Sequence, residues 1–422
     1  MNVEPSTLRL RAVSPTLARA RTAAAPATDR STRRRLGLIW GLLVFNVLGY
    51  AGAPALITIP SSVAKVLTQG SIGLALLLAL SLNRRVLFRP NLFLTLFTVL
   101  CVTTLMMSVD QYFGVGSIFR AARLIIFVAV LWLIAPWWGR SDLLMCRIHW
   151  RAMLVVLSSV VIGLVLAPGR AYASASTGAR LVGALWPIPQ TQVAHYAAIF
   201  TGLTVILWFS GILTSRWAGL AVVGGFTVLV LTHTRTALVG LLAATLVAGL
   251  SLFASRKRVR RVFTVTVVVV ALGALAFAPF FNQWFDRGQN SEQIATLNGR
   301  ALVWSQVLAA PRTEVHILFG YGMSNASFNG LPIDSSWVST YENQGLVGDL
   351  IIGSALVLLL IKALVSPRGP GRAIALFLVI YCLIASYTET GLGDASSYLL
   401  DLSVAMSVLM LPLVPTAFTA EE

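Results

Sequence analysis

The chain has 422 residues, 57% of them hydrophobic and 11% charged, a balance that excludes a water-soluble protein and points to an integral helical membrane protein. Its 32 Lys and Arg against 15 Asp and Glu give a formal charge of +17. In a soluble chain that excess would raise nucleic-acid binding; here most of the basic residues sit in alternate short loops, so no nucleic-acid partner is required.

Residues 1–35 are rich in Ala, Arg, Ser, Thr and Pro, which predicts a disordered, basic cytoplasmic tail. Their arginines and low acid content also suit an organelle transit peptide, whereas the first apolar stretch starts too late for a secretory signal. Residues 36–416 then carry about twelve apolar segments, at 37–57, 62–82, 91–108, 118–136, 152–168, 192–213, 217–233, 236–254, 262–280, 337–362, 373–388 and 396–415. Arg30, Arg33, Arg34 and Arg35 precede the first, and Arg84, Arg85 and Arg89 follow the second. Arg140, Arg147 and Arg151, then Arg216, the run from Arg256 to Arg261, and Lys362, Arg368 and Arg372 follow the fourth, sixth, eighth and tenth. By the positive-inside rule both termini are cytoplasmic and the remaining loops lie outside. Cys101, Cys146 and Cys382 show neither disulfide nor metal spacing and read as small packing residues.

Two outer loops, 169–191 and 281–336, exceed the few residues typical of bundle connections. The larger contains ATLNGRALVWSQVLAA, with helical spacing at Leu297, Ala301, Trp304 and Leu308, and is expected to form a partly helical cap.

Against the rule that drains positive charge from the outer side, Arg120, Arg123, Arg170, Arg180, Arg235, Arg287, Arg300 and Arg312 fall at or near it. Such residues call for an anion or anchor to lipid phosphate. Arg170, Arg287 and Arg312 read as solvated or snorkelling. Arg180 and Arg300, set among glycines and bulky apolar residues, read as functional, and Arg120 and Arg123 share one helical face at the start of the fourth span.

From Arg180 to Gly348 the successive stretches RLVGALWPIPQ, THTRTAL, NGRALVW with LFGYG, and DSSWVSTYENQGLVG resemble the ordered motifs of the O-antigen ligase and Wzy-type polysaccharide polymerase superfamily. The resemblance implies an all-α polytopic glycosyltransferase of the GT-C type in the bacterial plasma membrane. Such a protein transfers or polymerises glycan from an undecaprenyl pyrophosphate donor onto an acceptor hydroxyl at the outer face, in O-antigen or exopolysaccharide synthesis, without nucleotide sugar, metal or other cofactor. It makes Arg180 and Arg300 the two loop arginines that stabilise the leaving diphosphate, and Arg235 the arginine between spans seven and eight.

The tenth span opens with Asp334-Ser335, where ligases of the family carry histidine, and this departure leans towards polymerisation. Asp334 is the candidate general base, although aspartate is also a favoured helix N-cap. In one continuous helix Asp334, Trp337, Tyr341, Gly345 and Gly348 would form a single stripe and aim Asp334, Trp337 and Tyr341 into one cavity. Glu342 reads as an arginine's ion-pair partner, with a role as base left open. Asp349 reads as a buried polar group, and Gly320 and Gly322 as turn residues. His316 could stand in for the missing histidine, and His195 and His233 could line a donor groove, but each also reads as a packed polar residue. Glu389 and Asp394 lie outside, either pairing with the arginines or hydrated. A transporter or lipid-linked sugar flippase is the alternative function, and a non-catalytic scaffold a third.

Overall fold

The computed structural model describes residues 29–50, 55–56, 59–110, 112, 114–140, 142–173, 179–253, 260, 264, 284, 296–297, 299–324 and 326–411. In chain order its helices are α1 (Arg30–Val47), α2 (Ser61–Leu82), α3 (Leu92–Val109), α4 (Val115–Ile134), α5 (Leu144–Leu166), α6 (Gln190–Phe209) and α7 (Ser215–Leu231). They continue with α8 (Arg235–Phe253), α9 (Arg300–Ala309), α10 (Glu314–Phe319), α11 (Ser336–Val365), α12 (Pro370–Ala385) and α13 (Ser397–Leu409). Two short antiparallel pairs interrupt the loops: β1 (Tyr172–Ala173) with β2 (Arg180–Leu181), and β3 (Ser327–Phe328) with β4 (Leu331–Pro332).

Helices satisfy every backbone group internally, which hydrocarbon demands. Among the described residues seven helices are long and apolar enough to cross a membrane: α2, α3, α4 extended to Trp137, α5, α6, α8 and α11. α7, α12 and α13 are apolar but shorter. Large aliphatic side chains stay exposed on the outer helices, such as Leu77, Val155, Leu220 and Leu350, and face lipid. The chain is an all-helical polytopic membrane protein. The segment expected at 262–280, and Arg287 in the large loop, lie outside the described residues.

Three boundaries differ from expectation. Residues 30–35, assigned to the tail, are helical, since arginine is a good helix former and Asp29 sits at the positive end of the dipole. α5 begins at Leu144, ahead of 152, because Arg147 and Arg151 extend the helix inward from the apolar run. α1 stops at Val47 with Leu48 extended, well before 57. The three cysteines are free and buried, as expected.

α6 forms the centre, with 78% of its apolar window buried. It packs against α7, α8, α5 and α12, and α12 packs in turn on α8 and α13. A carboxylate lies inside this centre. Asp401 on α13 has one oxygen 2.9 Å from His149 Nε2 and the other 3.0 Å from His195 Nε2, and Trp40 Nε1 donates to His149 Nδ1 at 3.1 Å. That donation leaves Nδ1 of His149 as acceptor, so its Nε2 carries the proton that faces Asp401.

Several basic loops meet at one end of the bundle. Arg33 and Arg140 both pair with Asp142, at 3.1 and 3.4 Å. Arg89 donates to the carbonyls of Trp138 and Leu411, beyond the end of α13.

Candidate active site

At the start of α11 four segments that are remote in sequence converge. Arg300, the first residue of α9, places its Nε 3.0 Å from Asp334 Oδ2. The loop after α12 folds back over the same place: Ser336 donates its amide to Ser386 O and its hydroxyl to Glu389 O, and Trp337 Nε1 donates to Ser386 Oγ. The turn between α7 and α8 supplies the third side and β2 the fourth. Arg180, on β2, donates from Nε to Thr232 O and from Nη2 to Thr234 Oγ1, both at 3.0 Å, while Thr236 and Thr388 share a hydroxyl hydrogen bond of 2.7 Å. Arg235 opens α8 in that turn. His233, with positive φ, stacks on Trp284.

These links bring Arg180, Arg300, Asp334 and Glu389 into mutual electrostatic range. Burial pushes the Glu389 carboxyl up to about 7, with Asp334 raising it further while Arg300 and Arg180 pull it down. Burial likewise lowers Arg180 from the ordinary arginine value, opposed by Glu389 and reinforced by Arg300. Two cations and two carboxylates thus lie within electrostatic range of one another, and Glu389, which makes no ion pair among the described residues, is pushed up by its burial. Asp334 is not an N-cap: the capping position belongs to Ser335.

α11 is not one continuous helix. Gly345 adopts φ 64° and ψ −166°, and the carbonyls orphaned by this break are taken up by the loop after α10. Tyr321 N donates to Glu342 O at 3.0 Å and Gly322 N to Asn343 O at 2.9 Å. Gly320 and Gly322 are left-handed, at φ 72° and 85°, as their reading as turn residues required. A Cβ on Gly320 would lie 2.3 Å from the Asn343 carbonyl carbon, and one on Gly345 would lie 2.4 Å from that of Leu318. Only glycines let these two backbones cross.

The expected single stripe does not form, because Asp334 precedes the helix and Gly345 interrupts it. Tyr341 lies over the guanidinium of Arg312, 4.5 Å from ring centroid to carbon. Arg312 itself is not a solvated residue. It contacts Glu342 at 2.5 Å, with side chains only 2% and 3% exposed, so Glu342 takes the ion-pair role. His316 packs on Tyr321 with centroids 4.2 Å apart. Asp349 is half-buried farther along α11.

The opposite face of α11 lines a cavity of about 870 Å³ with Ser336, Ser339, Thr340, Asn343 and Gln344. Facing them are Lys65 and Gln69 of α2, Arg120 and Arg123 of α4, and Asp394. Arg123 is fixed by bonds to Asn46 Oδ1, Asn46 O and Ala395 O. A second cavity of about 460 Å³ shares Lys65, Gln69, Arg123 and Thr390 with the first and adds Glu389 and His195; His195 is a packed polar residue at its edge. The polar stripe at 336, 339, 340, 343 and 344 was legible as helical spacing inside an apolar span, a signal that attention to the charges missed. Lys65 and Gln69, four apart, were a second such signal.

Among the described residues no group of three or more His, Cys, Asp or Glu side chains could hold a metal ion. The geometry can bind a multiply charged anion between guanidinium groups and accept a proton beside it. Residues 220–347 match the family model described as O-antigen ligase. That stretch includes the Thr232–Thr236 turn, Arg300, the Gly320–Gly322 crossing and residues 336–347 of α11, while Arg180 and Glu389 lie outside it. No curated protein matches the chain.

Proposed function

We propose, from the match of residues 220–347 to the O-antigen ligase family model, that this protein is an integral membrane glycosyltransferase of cell-surface polysaccharide synthesis. It moves or polymerises glycan from an undecaprenyl, or other polyprenyl, pyrophosphate donor onto an acceptor hydroxyl at the outer face of the bacterial plasma membrane. The reading includes a GT-C-type bundle of about twelve spans with both termini cytoplasmic, which the shared end of Arg33, Arg89 and Arg140 supports.

The observation that carries it is the gathering at the mouth of α11 of the Arg300–Asp334 pair with Arg180 and Glu389 in electrostatic range of it. Each arginine uses one edge to fix itself, Arg300 on Asp334 and Arg180 on Thr232 and Thr234. The remaining N–H donors of each guanidinium can meet phosphate oxygens. The acceptor oxygen attacks the anomeric carbon from the face opposite the phosphate, the carbon–oxygen bond to phosphate breaks with inversion, and the electron pair leaves on the diphosphate. The arginines stabilise that developing charge. The acceptor's proton goes to Glu389, whose affinity near 7 suits a base at neutral pH; Asp334 holds Arg300 in place. Arg235, Arg120, Arg123 and Trp337 bind and position the donor and acceptor, and the cavity lined by the polar face of α11 takes the acceptor sugar.

The test is replacement of Arg300 or Arg180 by alanine, scored by polymer yield and by the amount of protein in the membrane. Loss of transfer with normal insertion is expected; undiminished polymer from both variants overturns the reading. In a deletion strain, accumulated single repeat units identify a polymerase, which Asp334 in place of histidine favours, and accumulated long chains identify a ligase.

One observation favours the rival reading of a transporter or flippase: the carboxylate of Asp401 buried between two histidines, since polar groups inside a bundle mark permeation routes. Reconstituted vesicles distinguish the two. A flippase moves lipid-linked sugar across without joining it to an acceptor.

A further inference from the structure

Along the length of α1, from Arg30 to Leu48, α1 and α5 diverge to leave a groove of about 800 Å³. Its α1 wall is one stripe of Arg30, Arg34, Gly37, Gly41, Phe45 and Leu48, at spacings of three and four residues. Its α5 wall is the stripe Ile148, Ala152, Val155, Val156 and Ser159, with Arg151 at the basic end. Trp186, its ring 5.2 Å from that of Phe45, closes the far end.

Three features of this groove specify an occupant. The first is the ordering of its chemistry: arginines at one mouth, aliphatic and aromatic walls beyond. Arg33, also in the lining, is paired with Asp142, but among the described residues no carboxylate forms an ion pair with Arg30, Arg34 or Arg151. The second is length, since Arg34 to Leu48 spans roughly 21 Å at 1.5 Å per residue, more than the half-thickness of about 15 Å that one leaflet contributes. The third is the pair of glycines. Gly37 and Gly41 lie inside a helix, where glycine costs about 1 kcal/mol relative to alanine, and a Cβ on either meets nothing within 4 Å. No close helix contact explains them; their missing side chains keep the floor of the groove open.

We propose that this groove binds one anionic phospholipid of the cytoplasmic leaflet, its phosphate held by Arg34, Arg151 and Arg30 and one acyl chain laid over Gly37 and Gly41 as far as Phe45 and Trp186. The site is separate from the arginines at the α11 mouth. Only its assignment to the cytoplasmic leaflet rests on the orientation adopted above.

The full-length protein is purified and titrated with dioleoyl phosphatidylglycerol, dioleoyl phosphatidylcholine or inorganic phosphate, and the bound species are counted by native mass spectrometry. One phosphatidylglycerol should be retained per chain, at least tenfold more tightly than phosphatidylcholine, with inorganic phosphate failing to displace it. Joint Arg34→Gln and Arg151→Gln substitution should weaken phosphatidylglycerol about 25-fold, at about fivefold per arginine at an anionic lipid, and leave phosphatidylcholine unchanged. Gly41→Phe or Gly37→Leu should fill the floor and abolish retention without lowering the melting temperature, while Gly353→Leu, equally open but on α11, should change nothing. Equal binding of the two lipids overturns the proposal. So does displacement by inorganic phosphate, which marks a soluble-anion site, or full retention by the glycine variants. Glycan transfer is not read in this experiment, so the lipid site and the transferase reading stand or fall independently.

Discussion

Arg312 and Glu342 form an ion pair inside the protein, 2.5 Å apart and nearly inaccessible, with the rings of Tyr321 and Tyr341 against the guanidinium. Pairs of this kind contribute little over an apolar replacement, yet removing one partner strands a buried charge. Arg312→Met should therefore lower stability by roughly 3–5 kcal/mol, and the double variant Arg312→Met, Glu342→Leu should recover most of that loss. Thermal unfolding of the purified variants checks both; a double variant as weak as the single one would mean that the stranded carboxylate is not the cause.

The crossing of the Gly320 loop over the break at Gly345 makes a second prediction. Alanine at either glycine meets backbone at 2.4 Å or less with positive φ, so Gly320→Ala and Gly345→Ala should each destabilise by several kcal/mol, beyond the roughly 1–3 kcal/mol of strain in this glycine-only backbone region alone. Gly353→Ala, on the same helix with open space around it, should be neutral or stabilising by up to about 1 kcal/mol. Melting temperatures of the three decide it, and similar values for all of them would deny the contact.

Glu389 sets the pH behaviour. Its carboxyl is raised to about 7, so a base there is protonated and inactive in acid, and transfer should rise through pH 7 and level off above it. For stability the sign is opposite: between the ordinary carboxyl range and 7 the folded protein binds the extra proton, so raising pH across that window removes stability. Glu389→Gln should abolish the acid limb of the rate profile and lower turnover about 10²–10⁴-fold, with unfolding less dependent on pH in the same window.

Asp334 should behave differently, because it acts through Arg300. Asp334→Asn keeps the shape but weakens the bond to Arg300, and the expected effect is weaker donor binding with a preserved acid limb near pH 7. Saturation kinetics with lipid-linked donor separate the two carboxylates. Should Asp334→Asn, and not Glu389→Gln, erase the acid limb, the base is Asp334.

Asp401 tests the core. Asp401→Leu leaves the imidazoles of His149 and His195 facing an apolar group, at an expected cost of about 1–3 kcal/mol for the unsatisfied donors, read as a lower melting temperature. No such loss would show that the trio does not help hold α13 to α5 and α6.

The helices were legible because hydrocarbon leaves a simple signature, long apolar runs with arginines at alternate ends. Arg180, Arg300 and Asp334 were also legible, since each breaks a local rule. What the sequence hid was tertiary. Nothing local separates Arg312, buried on Glu342, from a solvated loop arginine. Nothing in TETGLGD tells that the chain turns back over Ser336 and carries Glu389 to Arg300 and Arg180. The break at Gly345 sits in a run that reads as continuous helix, because glycine in a membrane helix is ordinarily a packing residue. Asp401, His149 and Trp40 went unremarked, being single polar groups on three helices whose proximity no spacing encodes.

Arg180 stands on the carbonyl of Thr232 and the hydroxyl of Thr234, so the loop that carries it fixes its backbone by the β1–β2 pairing but not the direction of its guanidinium. Exchange of residues 169–191 between related proteins, without the turn at 232–236, would transplant a guanidinium with nothing to aim it. Inheritance in this region therefore has to act on the two segments as one unit, however far apart they lie in the gene.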